Sequence, residues 1–301
     1  PIPGVCIIGS DGDPHIKTFS GKHFDCEYSI CVECACVLCC LSIDGSYPDN
    51  DAFFYPPDMG ECDMVLLHAP DFDGQGKTLD IHTRTKIARA VMGDYSFIES
   101  AAIKIDDDIL EVSIHGDHAF NGVDTPFTYD GSAGITIGGY PIYYTQVGKK
   151  KYIYDVVLSP KENITLGSWG GLVSVHMNNA YSHQFLHQDV TGVMGSLDGF
   201  LLGRDGSEMS ERNTDEYAEE WQVREDEPML FRTARYPQYP HKCVLPPPPS
   251  KDEKHRRLEE ATITREDAEQ ACSHFFGQQL DNCIYDVLAV RDLEAAEAGA
   301  Y

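Results

Sequence analysis

Apolar and polar residues alternate with a period of two through most of residues 64–177. The clearest run covers residues 79–87, where Leu79, Ile81 and Ile87 alternate with charged or polar neighbours such as Asp80. Such alternation is typical of a strand that buries one face. Further strands are expected in four segments bounded by Gly, Pro, Asn or Asp, at residues 135–137, 140–144, 152–158 and 172–177.

An acidic triplet interrupts this pattern. Ile103 and Ile105 precede residues 106–108, which are all Asp, and a second apolar strand pattern follows at residues 109–113. Two alternating runs joined by a short polar turn predict a β-hairpin. Helical periodicity is missing throughout this region. The sequence therefore predicts an all-β fold, an antiparallel β-sandwich or a strongly curved sheet, with a small helical C-terminal appendage.

The helical signal begins late in the chain. Residues 246–249 are four prolines, and a charged stretch continues to residue 260, so residues 246–260 are expected to be a stiff linker. Thr264 and Asp267 have the spacing of a capping box. One helical face then carries Ala268, Ala271, Cys272 and Phe275. We therefore expect a β domain at residues 1–245 and a small helical tail at residues 261–301, closed by a Cys272–Cys283 disulfide.

The formal net charge is −26. It argues against binding to nucleic acid or to an anionic membrane surface, because both carry the same sign of charge. It suits divalent cations, basic ligands and solubility outside a cell, although a merely solvated acidic surface explains it equally well. No stretch of 18 or more apolar residues is present, so a membrane span is not expected.

The chain contains eleven cysteines, and six of them crowd into the fifteen positions 26–40. This crowd can be interpreted as a metal site or as oxidised or disordered thiols. The other five are spaced as disulfide partners would be. Asn163 begins an Asn-Ile-Thr triplet, which is an acceptor pattern for N-glycosylation. Both features favour a secreted, disulfide-bonded glycoprotein.

Four segments occur in the order found in one extracellular family. Residues 12–21 (GDPHIKTFSG), 60–66 (GECDMVL), 191–199 (TGVMGSLDG) and 217–223 (YAEEWQV) resemble the motifs of the von Willebrand factor type D domain. The tail, with Cys272 and Cys283, is similar to the small cysteine-rich piece that often follows such domains. The resemblance implies a β-rich extracellular module that presents neighbouring domains or assembles with other copies.

Three features depart from the family pattern. Residues 26–59 form an atypical Cys-rich insert, either a disulfide-tied loop or non-native coding sequence such as a retained intron. Its flanks are expected to be neighbouring strands of one β scaffold. Met194 replaces a loop cysteine, which leaves Cys6 without its family partner. Ser20 and Ser196 stand where the family has calcium-ligating Asp and Asn.

The resemblance also implies specific sites. A weakened Ca²⁺ site would use Asp198 and Asp205, with Ser20 and Ser196 as helpers. Cys62 would pair with Cys243. In some relatives the Asp-Pro bond of the first motif cleaves itself, which here would be Asp13–Pro14 with His15 as the proton donor.

These observations favour a structural or adhesive module and not an enzyme. It would be secreted, or would be the ectodomain of a larger protein, and its partners would be other extracellular proteins or further copies of itself. The first alternative is a self-processing module that cleaves its own Asp13–Pro14 bond. The second is a hydrolase with an acidic cleft, which would need two converging carboxylates in different environments.

Overall fold

The computed structural model describes residues 7–11, 15–17, 23–25, 62–89, 94–127, 134–169, 171–178, 189–196, 200–209, 214–233, 250, 263–293 and 296. Within these ranges most of the regular structure is strand. The strands are β1 (Ile7–Asp11), β2 (His15–Lys17), β3 (His23–Asp25), β4 (Asp63–Ala69), β5 (Leu79–Arg89), β6 (Asp94–Ile105), β7 (Asp108–Ser113), β8 (His118–Phe120), β9 (Thr136–Ile137), β10 (Tyr140–Val147), β11 (Lys151–Ser159), β12 (Glu162–Trp169) and β13 (Leu172–Asn178). Three helices follow, α1 (Thr214–Glu220), α2 (Arg265–Ala271) and α3 (Gln278–Val290).

The described strands form two antiparallel sheets. One sheet has the order β3-β2-β1-β13-β12-β11-β10-β9, and the other has the order β4-β5-β6-β7-β8. Their inner faces are apolar, with fully buried residues such as Ile81 and Ile103 from one sheet and Leu166 and Val175 from the other in one core. The predicted all-β fold with a small helical part is therefore confirmed.

The predicted strands all form, most of them with somewhat wider limits than the sequence suggested, whereas β9 is shorter than the predicted residues 135–137. The predicted hairpin is β6–β7, in which Ile105 pairs with Asp108 across a two-residue turn. Asp106 has a positive φ of 54° in this turn, a conformation that Asp tolerates better than most residues. Its Oδ1 accepts the backbone N–H of Thr78 at 3.1 Å, which ties the turn to the start of β5.

Strand β5 departs from the half-buried strand that its alternation predicts. Its inward residues Leu79 and Ile81 are buried as expected, but the outward residues His82 and Arg84 are only 3% and 6% exposed. Residues 221–233, which we call the strap, cover part of this face. The strap crosses the outer face of the five-stranded sheet, where Leu230 and Phe231 pack against Ala102 of β6.

The strands that flank the Cys-rich insert lie in different sheets. β3 ends at Asp25 on one edge of the eight-stranded sheet, whereas β4 begins at Asp63 on an edge of the five-stranded sheet. The expectation that they are neighbouring strands is wrong, because each has its own sheet partners, β2 and β5. The insert itself, residues 26–59, lies outside the described residues.

The helical tail has the local features that its sequence predicts. Thr264 and Asp267 form both hydrogen bonds of the capping box before α2. Cys272 and Cys283 are joined by a disulfide, as expected. Ala268 and Cys272 are buried with Ile284 and Val287 of α3 against Trp169 and Leu172, which lie at the β12–β13 turn. Apolar burial therefore fixes the tail on the sandwich.

Candidate functional site

The predicted calcium residues are only partly described. Ser20 and Asp198 lie outside the described residues. Ser196 is buried, and its Oγ accepts the backbone N–H of Phe200 at 3.1 Å. Asp205 is exposed at the tip of a small hairpin, and hydrogen bonds from Ser207 lower the pKa of its carboxyl. In the part of the chain that is described, no three His, Cys, Asp or Glu side chains are close enough together to hold a metal ion. The calcium site stays a prediction.

Three of the quoted motif segments meet at β4. The backbone N–H of Val65 donates to Trp221 O at 2.8 Å, and Val223 N–H donates to Asp63 O at the same distance. Further along the same strand, Val193 N–H donates to Val65 O at 3.0 Å. The edge of β4 opposite β5 is thus covered by the glycine-rich loop, residues 191–195, and by the start of the strap. Edge strands protected in this way resist unwanted pairing.

Side chains reinforce the junction at β4. Tyr217 Oη donates to Gly192 O at 2.5 Å, which joins α1 to the glycine-rich loop. Arg204 donates to Gln222 O and Glu220 O at 2.8 Å, and its guanidinium also pairs with Glu227 of the strap. The same guanidinium lies 4.7 Å from the ring centroid of Trp221. Arg204 therefore clamps the end of α1 and the strap together.

Gly192 is the tightest point of this junction. Its φ is +125°, and a Cβ placed there would lie 2.6 Å from the backbone oxygen of Leu66. We expect Gly192→Ala to lower the free energy of unfolding by about 3 kcal/mol, because the β4 backbone cannot move aside without losing its sheet bonds. Urea denaturation measures this loss.

Gly206 provides a matched control for that substitution. It also has a positive φ, +79°, but nothing lies within 4 Å of the Cβ position. Gly206→Ala should therefore cost only the backbone strain of about 1 kcal/mol. Equal losses for the two variants would contradict the close contact between the loop and β4.

The outer face of the five-stranded sheet carries a buried ion pair. Arg84 donates from Nε and Nη2 to the two carboxylate oxygens of Asp63, each at 2.7 Å. Its Nη2 also donates to Thr233 O at 2.8 Å, and the guanidinium lies 4.3 Å from the centroid of the Phe231 ring. The pair joins β4 and β5 and at the same time holds the end of the strap.

A second polar group lies at the other end of this face. His68 and Asp80 are opposite each other on β4 and β5, and Nδ1 of His68 is 2.5 Å from Oδ1 of Asp80. This hydrogen bond raises the pKa of His68. Burial alone would raise the pKa of Asp80, but the hydrogen bond and charge of His68 outweigh burial, so that pKa is lowered.

His82 lies between these two pairs and differs from both. Burial lowers its pKa to about 4. Its Nδ1 has no hydrogen-bond partner among the described residues. The sequence pattern assigns no role to His68 or His82, since the pairing of β4 with β5 and the cover of the strap are not encoded in local spacing.

The remaining predicted sites fall as follows. Cys62 is disulfide-bonded, but its partner lies outside the described residues, so the pairing with Cys243 stays a prediction. Asn163 lies within β12, and its side-chain amide donates to Asp155 and Thr165. Asp13 and Pro14 lie outside the described residues, between β1 and β2, where Asp11 pairs with His15.

Comparison with protein-family models and with curated proteins finds no match for this chain. In the residues that are described, no helix is long and apolar enough to cross a bilayer. The fold and the junction at β4 define the class of the molecule: a double-sheet β module with disulfides and a docked helical tail.

Proposed function

We propose that this chain is an extracellular structural or adhesive module of the von Willebrand factor type D kind, which associates with other extracellular proteins or with itself. The observation that carries the proposal is the meeting of three motif segments at β4. Residues 62–66, 191–195 and 221–223 are far apart in sequence, yet all three are joined by backbone hydrogen bonds. Segments that resemble one family in order are thus also neighbours in space.

Disulfide chemistry supports the proposed location. Cys272 is bonded to Cys283, and Cys62 is also in a disulfide. Disulfides persist in oxidising compartments and are rare in the cytosol. The net charge of −26 is consistent with a soluble surface outside the cell and with a use for divalent cations.

The acidic-cleft alternative has less support among the described residues. It needs two carboxylates that perturb each other. On the outer face of the five-stranded sheet, however, Asp63 pairs with Arg84, Asp80 with His68, and Glu111 with Arg232. Each of these carboxylates faces a basic side chain, so the face is built as a set of ion pairs.

Size-exclusion chromatography with light scattering tests the assembly role. The purified chain is compared in about 2 mM Ca²⁺ and in EDTA. Extracellular calcium modules bind with Kd of about 10⁻⁴ to 10⁻³ M, so we expect larger species and about 1–2 kcal/mol of extra stability in calcium. Asp205→Asn should weaken the response, whereas Asp107→Asn, in the exposed β6–β7 turn, should not.

The outcomes separate the candidate functions. Calcium-dependent oligomers support an assembly module. A folded monomer in both buffers, with no larger species in either, contradicts the assembly role. Mass spectrometry of the same samples at mildly acidic pH tests the self-processing alternative, for which a new amino terminus at Pro14 is required.

A further inference from the structure

The strap is held at its start, at its middle and at its end, where Arg232 also pairs with Glu111. Its start pairs with β4 through the backbone of Trp221 and Val223. Its middle is held by the Arg204–Glu227 ion pair. Its end is held by the packing of Leu230 and Phe231 and by hydrogen bonds from Arg84 to Thr233. Trp221 and Val223 are also buried in the main core, whereas residues 224–229 are half-buried or exposed, so the part of the strap that covers the outer face outside the core is residues 224–233.

His82 lies beside residues that this segment covers. Its sheet neighbour across β5–β6 is Ala102, which packs against Leu230 and Phe231. Two residues further along β5, Arg84 lies under Phe231 and bonds to Thr233. With strap-covered residues on two sides, His82 is only 3% exposed.

The charges around His82 oppose a second positive charge. Asp80 is the nearest carboxylate on the same strand, but it already accepts from His68 and faces Lys104 at 3.7 Å. Arg204, His68 and Lys104 all disfavour protonation of His82. On the same face, the charged groups of the sheet are Asp63 and His68 of β4, Asp80 and Arg84 of β5, Lys104 of β6 and Glu111 of β7. From outside the sheet, Arg204 of the 200–209 loop and Glu227 and Arg232 of the strap form ion pairs over this face.

We propose that the strap is an acid-released latch, in which protonation of His82 favours release of residues 224–233 from the outer face of the five-stranded sheet. When His82 is protonated while the strap is closed, its buried Nδ1–H has no acceptor among the described residues. The charges of Arg204, His68 and Lys104 also disfavour this protonated state. Once the strap is open, water solvates that charge. Acid therefore favours the open state.

Opening would create a binding surface. It would bare the apolar side chains around Ala102 and Ile109 that Leu230 and Phe231 now cover. An apolar patch that is bared in this way suits the apolar side chains of a segment of another protein chain. The latch would therefore restrict such binding to acidic conditions.

The size of the response follows from proton linkage. The pKa of His82 is about 4 with the strap closed and is taken as the ordinary value of 6.5 with the strap open. The free energy that favours the closed state over the open state is fully present above pH 6.5, and it decreases as the pH falls toward 4. Between pH 7.5 and pH 5 the opening constant should rise about 30-fold. The His68–Asp80 pair joins β4 and β5 within the sheet, so it persists in both states and contributes little.

Hydrogen exchange with mass spectrometry tests the latch on the intact chain. After correction for intrinsic exchange, peptides covering residues 224–233 should exchange about 30-fold faster at pH 5 than at pH 7.5. Peptides from β12 and β13 should not change. His82→Gln should remove the pH response of the strap, whereas His274→Gln, at an exposed position in the tail, should retain it.

Two results would overturn the proposal. One is a wild-type strap whose corrected exchange is the same at both pH values, which needs no variant to interpret. The other is a folded His82→Gln variant that keeps the full response. Neither result depends on calcium or on oligomers, so failure of the latch is distinguishable from failure of the proposed assembly role.

Discussion

Replacing Trp169 with alanine should lower the free energy of unfolding by about 4 kcal/mol, the usual cost of deleting a buried aromatic side chain. Trp169 is 2% exposed at the end of β12. It belongs to the cluster that joins the sheet to the tail, together with Leu172, Cys272 and Ile284. Its loss removes contacts on both sides of that interface.

Polar contacts of the same ring add to this effect. Trp169 Nε1 donates to Ser174 Oγ at 2.9 Å, and Lys151 Nζ lies 4.0 Å from the ring centroid. Removing the indole leaves the Ser174 hydroxyl in a fully buried site without this donor. We therefore expect α2 and α3 to exchange amide hydrogens faster in Trp169→Ala as well.

Urea denaturation measures the change in stability. Trp221 remains as a fluorescent reporter, because the chain has two tryptophans. Phe276→Ala is the control, since Phe276 is 82% exposed and its loss should change stability by less than about 0.5 kcal/mol. If Trp169→Ala behaves like this control, the tail is not held on the sheet by the Trp169 cluster.

Asp63→Ala should cost about 3–5 kcal/mol, because it leaves the guanidinium of Arg84 buried without its partner. The side chains of Asp63 and Arg84 are 2% and 8% exposed. Arg84 keeps its bonds to Thr233, but these neutral acceptors do not replace a bidentate carboxylate.

Two further variants show whether the ion pair itself is responsible. Glu99→Ala breaks the more exposed Lys86–Glu99 pair of β5 and β6, which should cost less than about 1 kcal/mol. Combining Asp63→Leu with Arg84→Met removes both charges and should recover much of the lost stability. Thermal or urea unfolding of the wild type, Asp63→Ala, Glu99→Ala and the double variant measures these changes in stability. A double variant no more stable than Asp63→Ala would contradict this explanation.

Local pattern was sufficient for the strands and the tail. The alternation in residues 79–87, the Asp turn at residues 106–108 and the capping box at Thr264 each act through nearest neighbours, so the sequence predicts them correctly. The Cys272–Cys283 disulfide follows from the same kind of local constraint, because a short helical pair brings the two sulfurs together.

The candidate site could not be predicted in this way. The cover over Arg84 comes from Thr233, 149 positions later in the chain, and no local pattern near β5 predicts it. The His68–Asp80 bond depends on the register of β4 against β5, which includes a bulge between Val65 and Leu67. A shift of one residue would place these side chains on opposite faces.

By itself, the sequence determined the class of fold, the type of the elements that it predicted, and the capping box and disulfide of the tail, because hydrophobic periodicity and capping act over a few residues. Only the tertiary structure decided which polar residues are buried, which strands flank the insert, and that three distant segments share β4. These depend on long-range pairing, in which the free energy of a contact is gained only after the chain between its members has been ordered.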